Sequence, residues 1–262
     1  MIPKIIHYCW FGGNEKPEIV KKCIDSWKIF CPEWEICEWN ENNFDVTSVP
    51  YMKEAYEQKK WAFVSDVARL LIIYKSGGVY LDTDVEVIAP IDEWIEDEAF
   101  YIFESNRNIA TGLGFGAVKG HKSVKAMLDF YKEKHFIVNG KVKTIPCPRG
   151  NTESLINEYK DLNRNGCRQQ LDDVKILSNN DYLLKAIHHG AATWVDGPKV
   201  EKIIYKETKL KTFLRDSKKF EFVDKYFGKK MGDIYTFFVY DFLEVGLMYY
   251  LKRLISKMKN RN

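Results

Sequence analysis

The stretch Gly77-Gly-Val-Tyr-Leu-Asp-Thr-Asp84 decides the fold predicted for this chain. It follows Trp61 to Lys75, where apolar residues recur at the spacing of an amphipathic helix. A basic residue in the last turn and a glycine soon after it are typical of a helix end. The apolar residues that come next predict a short buried strand. Two acids, Asp82 and Asp84, are therefore expected at the carboxyl end of that strand, where open α/β sheets bind their ligands.

The first forty residues predict the start of a parallel sheet. Ile2 to Phe11 is rich in bulky, β-prone side chains and predicts a buried strand. Pro17 to Phe30 has apolar residues at helical spacing, and Trp34 to Trp39 predicts a second strand. Because strand, helix and strand in this order form a βαβ unit, we expect an α/β fold.

Further elements are expected up to about residue 200. The predicted helices are Tyr51–Lys60, Ser123–Lys134 and Thr152–Tyr159. The predicted strands are Val79–Leu81, which Val85–Ile88 extends, Phe100–Glu104, Gly114–Val118 and Val174–Leu177. Asn139–Asn151 is expected to be a loop because it contains two prolines, and Ala186–Trp194 is expected to return to the sheet.

The charge of the chain argues against nucleic acid as a partner. The net charge of the 262 residues is only +3. It is unevenly distributed, because residues 199–262 contain sixteen Lys or Arg and eight Asp or Glu. Within them, Phe237 to Arg261 predicts an amphipathic helix with a basic end, which can lie in an anionic membrane interface. Packing of this helix on the domain, or a dimer contact, is the alternative.

The six cysteines do not form a C-x-x-C pair, so a zinc ribbon or a thioredoxin-type site is not supported. Their scatter is typical of reduced thiols in a cytosolic protein. No signal peptide is predicted, and no apolar run approaches the roughly 20 residues that span a bilayer. We therefore expect a cytoplasmic protein, peripheral on the cytoplasmic face of the inner membrane if the basic segment binds lipid.

Asp82 and Asp84 are the first candidates for metal ligands. Side chains two residues apart on a strand point to one face, and two carboxylates so placed repel each other unless a cation lies between them. Mg²⁺ or Mn²⁺ prefers such oxygen ligands and can neutralise a nucleotide diphosphate. An acidic pair alone is a weak indication, because most such pairs are solvated.

Three further features could join this pair. Asp66 and Arg69 are three residues apart on one helix face, where they form either a surface ion pair of little consequence or a site for hydroxyl and phosphate oxygens. The pair His188-His189 could return an imidazole to the metal, although a doubled histidine in a turn is more often only polar surface. Trp10, at the end of the first strand, is either core or a platform for a nucleobase.

Five stretches together resemble the DXD-containing glycosyltransferases of family 32, which include yeast-type mannosyltransferases and bacterial capsule and lipopolysaccharide enzymes. They are also similar to the glucosylating domain of the large clostridial toxins. The stretches are Ile2–Gly13, Ala62–Arg69, Gly77–Asp84, Gly114–His121 and Ala186–Trp194. The resemblance implies a GT-A fold, which is a Rossmann-like mixed central sheet flanked by helices. It implies a catalytic domain over residues 1–200, followed by a basic, mainly helical extension over residues 201–262.

The resemblance also implies roles for individual residues, with Mn²⁺ or Mg²⁺ as the cofactor. Asp84 would bind the metal directly, Asp82 would contact the ribose and metal-bound water, and His189 would be a third ligand. Asp66 and Arg69 would hold the ribose and the donor sugar, and these two residues with the two acids form the catalytic set. The other donor-binding residues would be Cys9, Trp10, Ser65, Tyr80, Gly112 and Trp194.

The implied function is transfer of a hexose or N-acetylhexosamine, with retention, from a nucleotide sugar to a glycan or lipid-linked acceptor in surface polysaccharide synthesis. UDP is the favoured nucleotide. One alternative is a nucleotidyltransferase, although Gly12-Gly-Asn-Glu-Lys16 is a poor version of its phosphate loop. The other is an inactive nucleotide-sugar-binding module, which would be expected to have lost an acid or the arginine, whereas Asp66, Arg69, Asp82 and Asp84 are all present.

Overall fold

A computed structural model describes residues 1–105 and 107–190 of the chain. These residues belong to the first of two units, Met1–Asp196 and Gly197–Asn262. Trp194 and the predicted amphipathic segment Phe237–Arg261 lie outside the described residues. The expected division of the chain near residue 200 therefore stays a prediction.

The described residues form six α-helices and eleven strands. The helices are α1 (Glu18–Phe30), α2 (Pro50–Glu57), α3 (Trp61–Ser76), α4 (Lys122–Tyr131), α5 (Cys147–Glu158) and α6 (Asn179–Leu183), with a 3-10 helix at Asp92–Ile95. The strands are β1 (Ile5–Cys9), β2 (Glu35–Trp39), β3 (Gly78–Tyr80), β4 (Val85–Val87), β5 (Ala99–Ile102), β6 (Phe115–Ala117), β7 (Ile137–Val138), β8 (Lys141–Val142), β9 (Gln169–Gln170), β10 (Val174–Leu177) and β11 (Ala186–His188). No described helix combines the length and the hydrophobicity that crossing a bilayer requires.

A seven-stranded sheet forms the centre of the described residues, in the order β2-β1-β3-β6-β5-β10-β9. The β2, β1 and β3 strands are parallel, as the βαβ pattern at the start of the chain predicts. Strand β6 runs antiparallel to both of its neighbours, β3 and β5. The predicted α/β fold with a mixed central sheet is therefore confirmed.

The two faces of this sheet bury separate apolar clusters. Val79 and Leu81 belong to the cluster that contains Trp27 and Trp94, whereas Tyr80 belongs to the cluster that contains the inner face of α3. This alternation follows from the two-residue period of a strand. Side chains that project from β3 in phase with Tyr80 therefore point toward α3.

Two predicted elements differ from the structure. Strand β4 does not extend β3, because a turn at Thr83 and Asp84 leads it into a separate two-stranded sheet with β11. The expected loop over Asn139–Asn151 ends early, because α5 already begins at Cys147. Its prolines break no helical hydrogen bond, since they stand at the cap and in the first turn, where the backbone N–H groups have no helical partner.

Candidate functional site

The turn that enters β3 is fixed by a buried histidine of β1. His7 Nε2–H donates to the Gly77 carbonyl at 3.0 Å, while Trp39 Nε1–H donates to His7 Nδ1 at 3.0 Å. Burial lowers the pKa of His7, so the ring is neutral and both of its nitrogens are used. A Cβ on Gly78 would lie 2.8 Å from His7 Nε2. The glycine pair is therefore required by close packing, and His7 is a supporting residue that sequence reasoning missed.

Asp82 lies at the carboxyl end of β3, as predicted. The turn after it closes where the Val85 N–H donates to the Asp82 carbonyl at 3.0 Å. The Tyr80 hydroxyl donates to Asp82 Oδ1 at 3.1 Å, and Arg69 Nη1 lies 3.7 Å from Asp82 Oδ2. Strand β3 thus places Asp82, the first acid of the pair, next to α3.

Asp66 and Arg69 form a buried pair on α3, not a surface pair. The Arg69 side chain is 4% exposed, and its Nη2 donates to Asp66 Oδ1 at 2.5 Å. Its Nε donates to the Ser65 carbonyl at 3.0 Å, and its guanidinium carbon lies 5.1 Å from the centre of the Tyr80 ring. The Ser65 hydroxyl is itself used within the helix, on the Trp61 carbonyl at 3.1 Å. Arg69 is therefore held at three points in one orientation.

The charges of this cluster depend on one another. Burial raises the pKa of the Asp66 carboxyl, against the attraction of Arg69. Burial also raises the pKa of Asp82, and the neighbouring Asp84 carboxylate acts in the same direction. Burial opposes the charge of Arg69, but the two carboxylates Asp82 and Asp66 outweigh it and hold the pKa of the guanidinium well above its usual value. One arginine thus serves the largely buried Asp66 and the partly exposed Asp82, and a third acid, Asp84, stands beside them.

The Thr111-Gly112 segment covers this cluster. The Gly112 carbonyl accepts the Asp82 N–H at 3.1 Å, and a Cβ on Gly112 would lie 2.2 Å from Asp82 Oδ2. Thr111 Oγ1 accepts from Arg69 Nη1 at 3.5 Å. Only glycine fits where the backbone passes so close to the Asp82 carboxylate. Gly112 therefore lies where it was expected to contribute to the site.

Helix α5 supplies a layer behind Thr111 that the sequence did not predict. Asn151 Nδ2 donates to Thr111 Oγ1 at 2.9 Å, and the Cys147 sulfur lies 3.8 Å from the same oxygen. The Cys147 thiol also interacts with Asp66, and burial raises its pKa well above the usual value. Asn151 is 1% exposed and its Oδ1 is buried without a hydrogen-bond partner. A buried amide oxygen of this kind is an acceptor for a hydroxyl group of a ligand or for water.

The second acid of the pair meets a histidine from β11. His188 Nε2 lies 3.2 Å from Asp84 Oδ1, and the hydrogen bond to this carboxylate raises the pKa of His188 against the effect of burial. The His189 imidazole lies elsewhere, with its Nε2 2.8 Å from Glu86 Oε2. The contact of His189 with Asp84 is through the backbone, where its N–H donates to the Asp84 carbonyl at 2.9 Å. The structure thus brings His188 to the acids in place of His189.

Asp84 and His188 fit a divalent cation better than Asp82 does. Carboxylate oxygen and imidazole nitrogen suit Mn²⁺, and Asp84 is 13% exposed next to an imidazole that is 38% exposed. Asp82 is directed instead to Arg69 and Tyr80. The described part of the chain has one group of three such residues whose ligand atoms all lie within 4.8 Å of one another. This group consists of Glu98, His121 and Asp173, and it lies at a different place. Asp84 and His188 therefore form two candidate ligand positions for a cation.

Cys9 and Trp10 lie at the end of β1, beside β3. The Cys9 thiol is buried, which raises its pKa to about 12, and it contacts Tyr80. This thiol is therefore unreactive, so that a backbone role is the one left to Cys9. Trp10 is half-buried, and its Nε1–H donates to the Asn14 carbonyl at 2.7 Å. This bond fixes the indole ring, which packs against the apolar cluster that contains Trp27 and Trp94 and not against the cluster beside α3.

Residues 17–101 match the family model described as the glycosyltransferase sugar-binding region containing DXD motif. This part of the chain, called the DXD region below, is similar to the sugar-binding region of DXD-type glycosyltransferases. The DXD region contains α3, β3 and both acids. The residues that complete the cluster come from outside it, namely from the Thr111-Gly112 segment, α5 and β11.

Two curated proteins are similar to parts of this chain. Inositol phosphoceramide mannosyltransferase 3 of Schizosaccharomyces pombe is 34% identical over 128 residues, which cover 46% of this chain and 34% of that protein. Alpha-1,4-N-acetylglucosaminyltransferase of Homo sapiens is 34% identical over 82 residues, which cover 31% of this chain and 23% of that protein. The chain thus spans about a third or less of each of these relatives. Among solved structures, the PaToxG glycosyltransferase has a TM-score of 0.48 and 17% identity, and the similarity covers 62% of this chain and 71% of that one.

Proposed function

We propose that this protein is a retaining, metal-dependent glycosyltransferase with a GT-A fold. It would move a hexose or N-acetylhexosamine from a nucleotide sugar, with UDP favoured, to a glycan or lipid-linked acceptor in surface polysaccharide synthesis. The observation that carries the proposal is the convergence of Asp66, Arg69, Tyr80 and Asp82 in one buried cluster beside Asp84, within a DXD-type region. The names of the two curated relatives are those of sugar transferases, and this supports the proposal.

The protein groups of this cluster bind and orient the donor. Arg69 donates to sugar or phosphate oxygens from a fixed position, because Asp66 and the Ser65 carbonyl hold its guanidinium. Asp66 and Asp82 accept hydrogen bonds from the hydroxyl groups of the sugar and the ribose. Trp10 stacks on the base at the end of β1. Such positioning of the reacting carbon is a large part of what transfer between two bound substrates requires.

Asp84 and His188 would hold Mn²⁺ or Mg²⁺. When bound there, the cation stabilises the charge that develops on the leaving diphosphate. Arg69 adds a second positive charge on the protein side, and the pKa of its guanidinium stays well above the usual value despite burial. The site thus stabilises the leaving group from two directions.

The chemical step needs no nucleophile from the protein. The bond between the anomeric carbon and the phosphate oxygen breaks, and its electron pair goes to the diphosphate. The acceptor oxygen forms the new bond on the same face of the sugar, and its proton passes to the leaving phosphate oxygen. The configuration at the anomeric carbon is then retained, and no described side chain has to act as a base.

The direct test is a screen for turnover of nucleotide sugars. The full chain is incubated with UDP-glucose, UDP-galactose, their N-acetylhexosamine analogues or GDP-mannose, with MnCl₂ or MgCl₂, and the free nucleoside diphosphate is measured. We expect hydrolysis of at least one donor, and a decrease of about 10²-fold or more in Asp84→Asn. The matched control is Asp25→Asn, an exposed acid on α1, which should behave like the wild type.

The same screen separates the proposal from the alternatives. Failure to bind or hydrolyse any of these sugar nucleotides would contradict it, as would wild-type turnover by Asp84→Asn. Release of pyrophosphate from UTP and a sugar phosphate would instead indicate a nucleotidyltransferase. Metal-dependent binding of a donor that is never turned over would indicate an inactive binding module.

We further propose that the chain reaches lipid-linked acceptors on the cytoplasmic face of the inner membrane through its basic C-terminal segment. Residues 199–262 contain twice as many Lys and Arg as Asp and Glu, sixteen against eight, which favours an anionic surface. Flotation with anionic liposomes compares the full chain, a chain cut before Tyr235, and a full chain with four basic residues changed to Gln. Those four residues are Lys252, Arg253, Lys257 and Lys259. Equal flotation of all three proteins would exclude this role.

A further inference from the structure

A second group of metal-type side chains lies at the opposite edge of the central sheet from Asp82. The Asp82 edge is where Tyr80 of β3 pairs with Phe115, the first residue of β6. Because β6 runs antiparallel to β3, the end of β6 lies at the other edge, and His121 follows it there. The two groups are therefore separated by the length of the strands.

Three segments of the chain converge at this second edge. Glu98 directly precedes β5, and Asp173 directly precedes β10, which is parallel to β5. His121 is the residue before α4. One possible ligand atom from each of these three residues lies within 4.8 Å of those of the other two. Ligand atoms bonded to one ion at about 2.0–2.2 Å lie at most about 4.4 Å apart, so a bound ion would draw these three atoms slightly closer together.

The His121 ring is fixed with one nitrogen directed into this group. Its Nδ1 lies 2.6 Å from Ser123 Oγ, which in turn lies 2.6 Å from the Tyr101 hydroxyl. His121 is only 5% exposed, and its Nε2 is buried without a hydrogen-bond partner, 3.5 Å from Asp173 Oδ2. In the described arrangement Nδ1 accepts from the Ser123 N–H at 3.3 Å. A metal at Nε2 would leave the ring proton on Nδ1, which would then donate to Ser123 Oγ, as the second nitrogen of a histidine ligand usually does to its partner.

In the described arrangement, the ammonium group of Lys122 lies where a bound metal ion would contact Asp173. Its Nζ lies 3.0 Å from Asp173 Oδ2, while Asp173 Oδ1 accepts from the Tyr159 hydroxyl at 2.8 Å. The lysine side chain is 49% exposed, so it can withdraw into solvent at little cost. Asp173 would then offer Oδ2, Glu98 would offer an oxygen of its exposed carboxylate, and His121 would offer Nε2.

We propose that Glu98, His121 and Asp173 bind Zn²⁺ at a site distinct from the DXD acids. One imidazole with two carboxylates suits Zn²⁺, whereas Mg²⁺ prefers oxygen ligands alone and keeps its water. The bound ion replaces the ammonium group of Lys122 and joins the starts of β5, α4 and β10. The site does not depend on the proposed transfer reaction.

Titration calorimetry and thermal melting with ZnCl₂ test this site. Every protein is the full chain carrying Asp84→Asn, so that binding at the DXD acids does not contribute. We expect Zn²⁺ to raise Tm by several degrees, about 5 °C when Zn²⁺ is present at 100 times its Kd. MgCl₂ at the same concentration should leave Tm unchanged.

Three further substitutions decide which residues bind the ion. Glu98→Gln changes an exposed side chain, and His121→Asn keeps a residue that can cap α4. Each should weaken Zn²⁺ affinity at least about tenfold. Lys122→Met should strengthen it, because it removes the competing charge. Unchanged Zn²⁺ affinity in Glu98→Gln, weaker affinity in Lys122→Met, or no Zn²⁺ binding by the parent chain would each overturn the proposal.

Discussion

Helices α1 and α3 carry an acid and a base at the same spacing, in opposite surroundings. Asp25 and Lys28 on α1 are three residues apart, and their side chains are 64% and 62% exposed. Asp66 and Arg69 on α3 are also three apart, but only 13% and 4% exposed. An exposed pair contributes little to stability, whereas removal of one member of a buried pair leaves a charge without compensation. Spacing alone does not separate the two cases, because the surrounding chain decides what a pair does.

The largest expected difference is in stability. Arg69→Met should lower the free energy of unfolding by about 3–5 kcal/mol, because Asp66 and Asp82 lose the charge that both depend on. Lys28→Met should change it by less than about 0.5 kcal/mol. Urea unfolding followed by circular dichroism measures both. An equal loss of unfolding free energy in the two variants would mean that the α3 pair contributes no more to stability than the exposed pair on α1.

The second largest expected difference is in donor turnover, between variants of Asp66 on α3 and Asp25 on α1. Asp66→Asn should lower kcat/KM for donor hydrolysis by about 10²-fold, because the fixed carboxylate no longer orients the sugar. Binding of free UDP should change less than turnover, since Asp66 is expected to contact the sugar and the ribose but not the base. Asp25→Asn should leave both unchanged. A fall in turnover matched by Asp25→Asn would remove the distinction between the pairs.

The packing around the buried cluster can be tested at Gly112. Gly112→Ala places a Cβ where Asp82 Oδ2 would be 2.2 Å away, so we expect a cost of about 1–3 kcal/mol and a clear loss of turnover. The control is Gly120→Ala, where φ is +77 and no atom lies within 4 Å of the added Cβ. This control should cost about 1–2 kcal/mol through its backbone alone and keep its turnover. Full activity of Gly112→Ala would show that the Asp82 carboxylate has more freedom than its contacts indicate.

A second matched pair, His188 and His189, gives the smallest expected effect. His188→Asn should raise the Mn²⁺ concentration for half-maximal turnover by about tenfold, because its imidazole stands beside Asp84. His189→Asn should leave that concentration nearly unchanged, because its ring binds Glu86. A larger effect at His189 would support the ligand role that the family resemblance implied for it. It would also require a rearrangement of β11 when the metal binds.

Much of the fold follows from patterns within short segments. The helix α3, its glycine cap and the strand after it were predicted to within about two residues, because their periods of 3.6 and 2 residues are local properties. Strand β10 was predicted with its observed bounds. The path of β4 was not, because its turn at Thr83 and Asp84 matters only once β11 is there to pair with it. The start of α5 differs from the prediction because prolines favour a loop by pattern, whereas the first turn of a helix accepts them.

The sequence by itself determined that two acids follow a buried strand and that an acid and an arginine share one face of the preceding helix. It did so because both facts depend on neighbours a few residues apart. Only the tertiary structure decided that the α3 pair is buried, that Cys147 and Asn151 support it from α5, and that His188 meets Asp84. The contacts from α5 and β11 join residues 36 or more positions apart, such as Cys147 and Thr111. Such contacts depend on the packing of the whole chain, and the local periodicity of the sequence does not predict them.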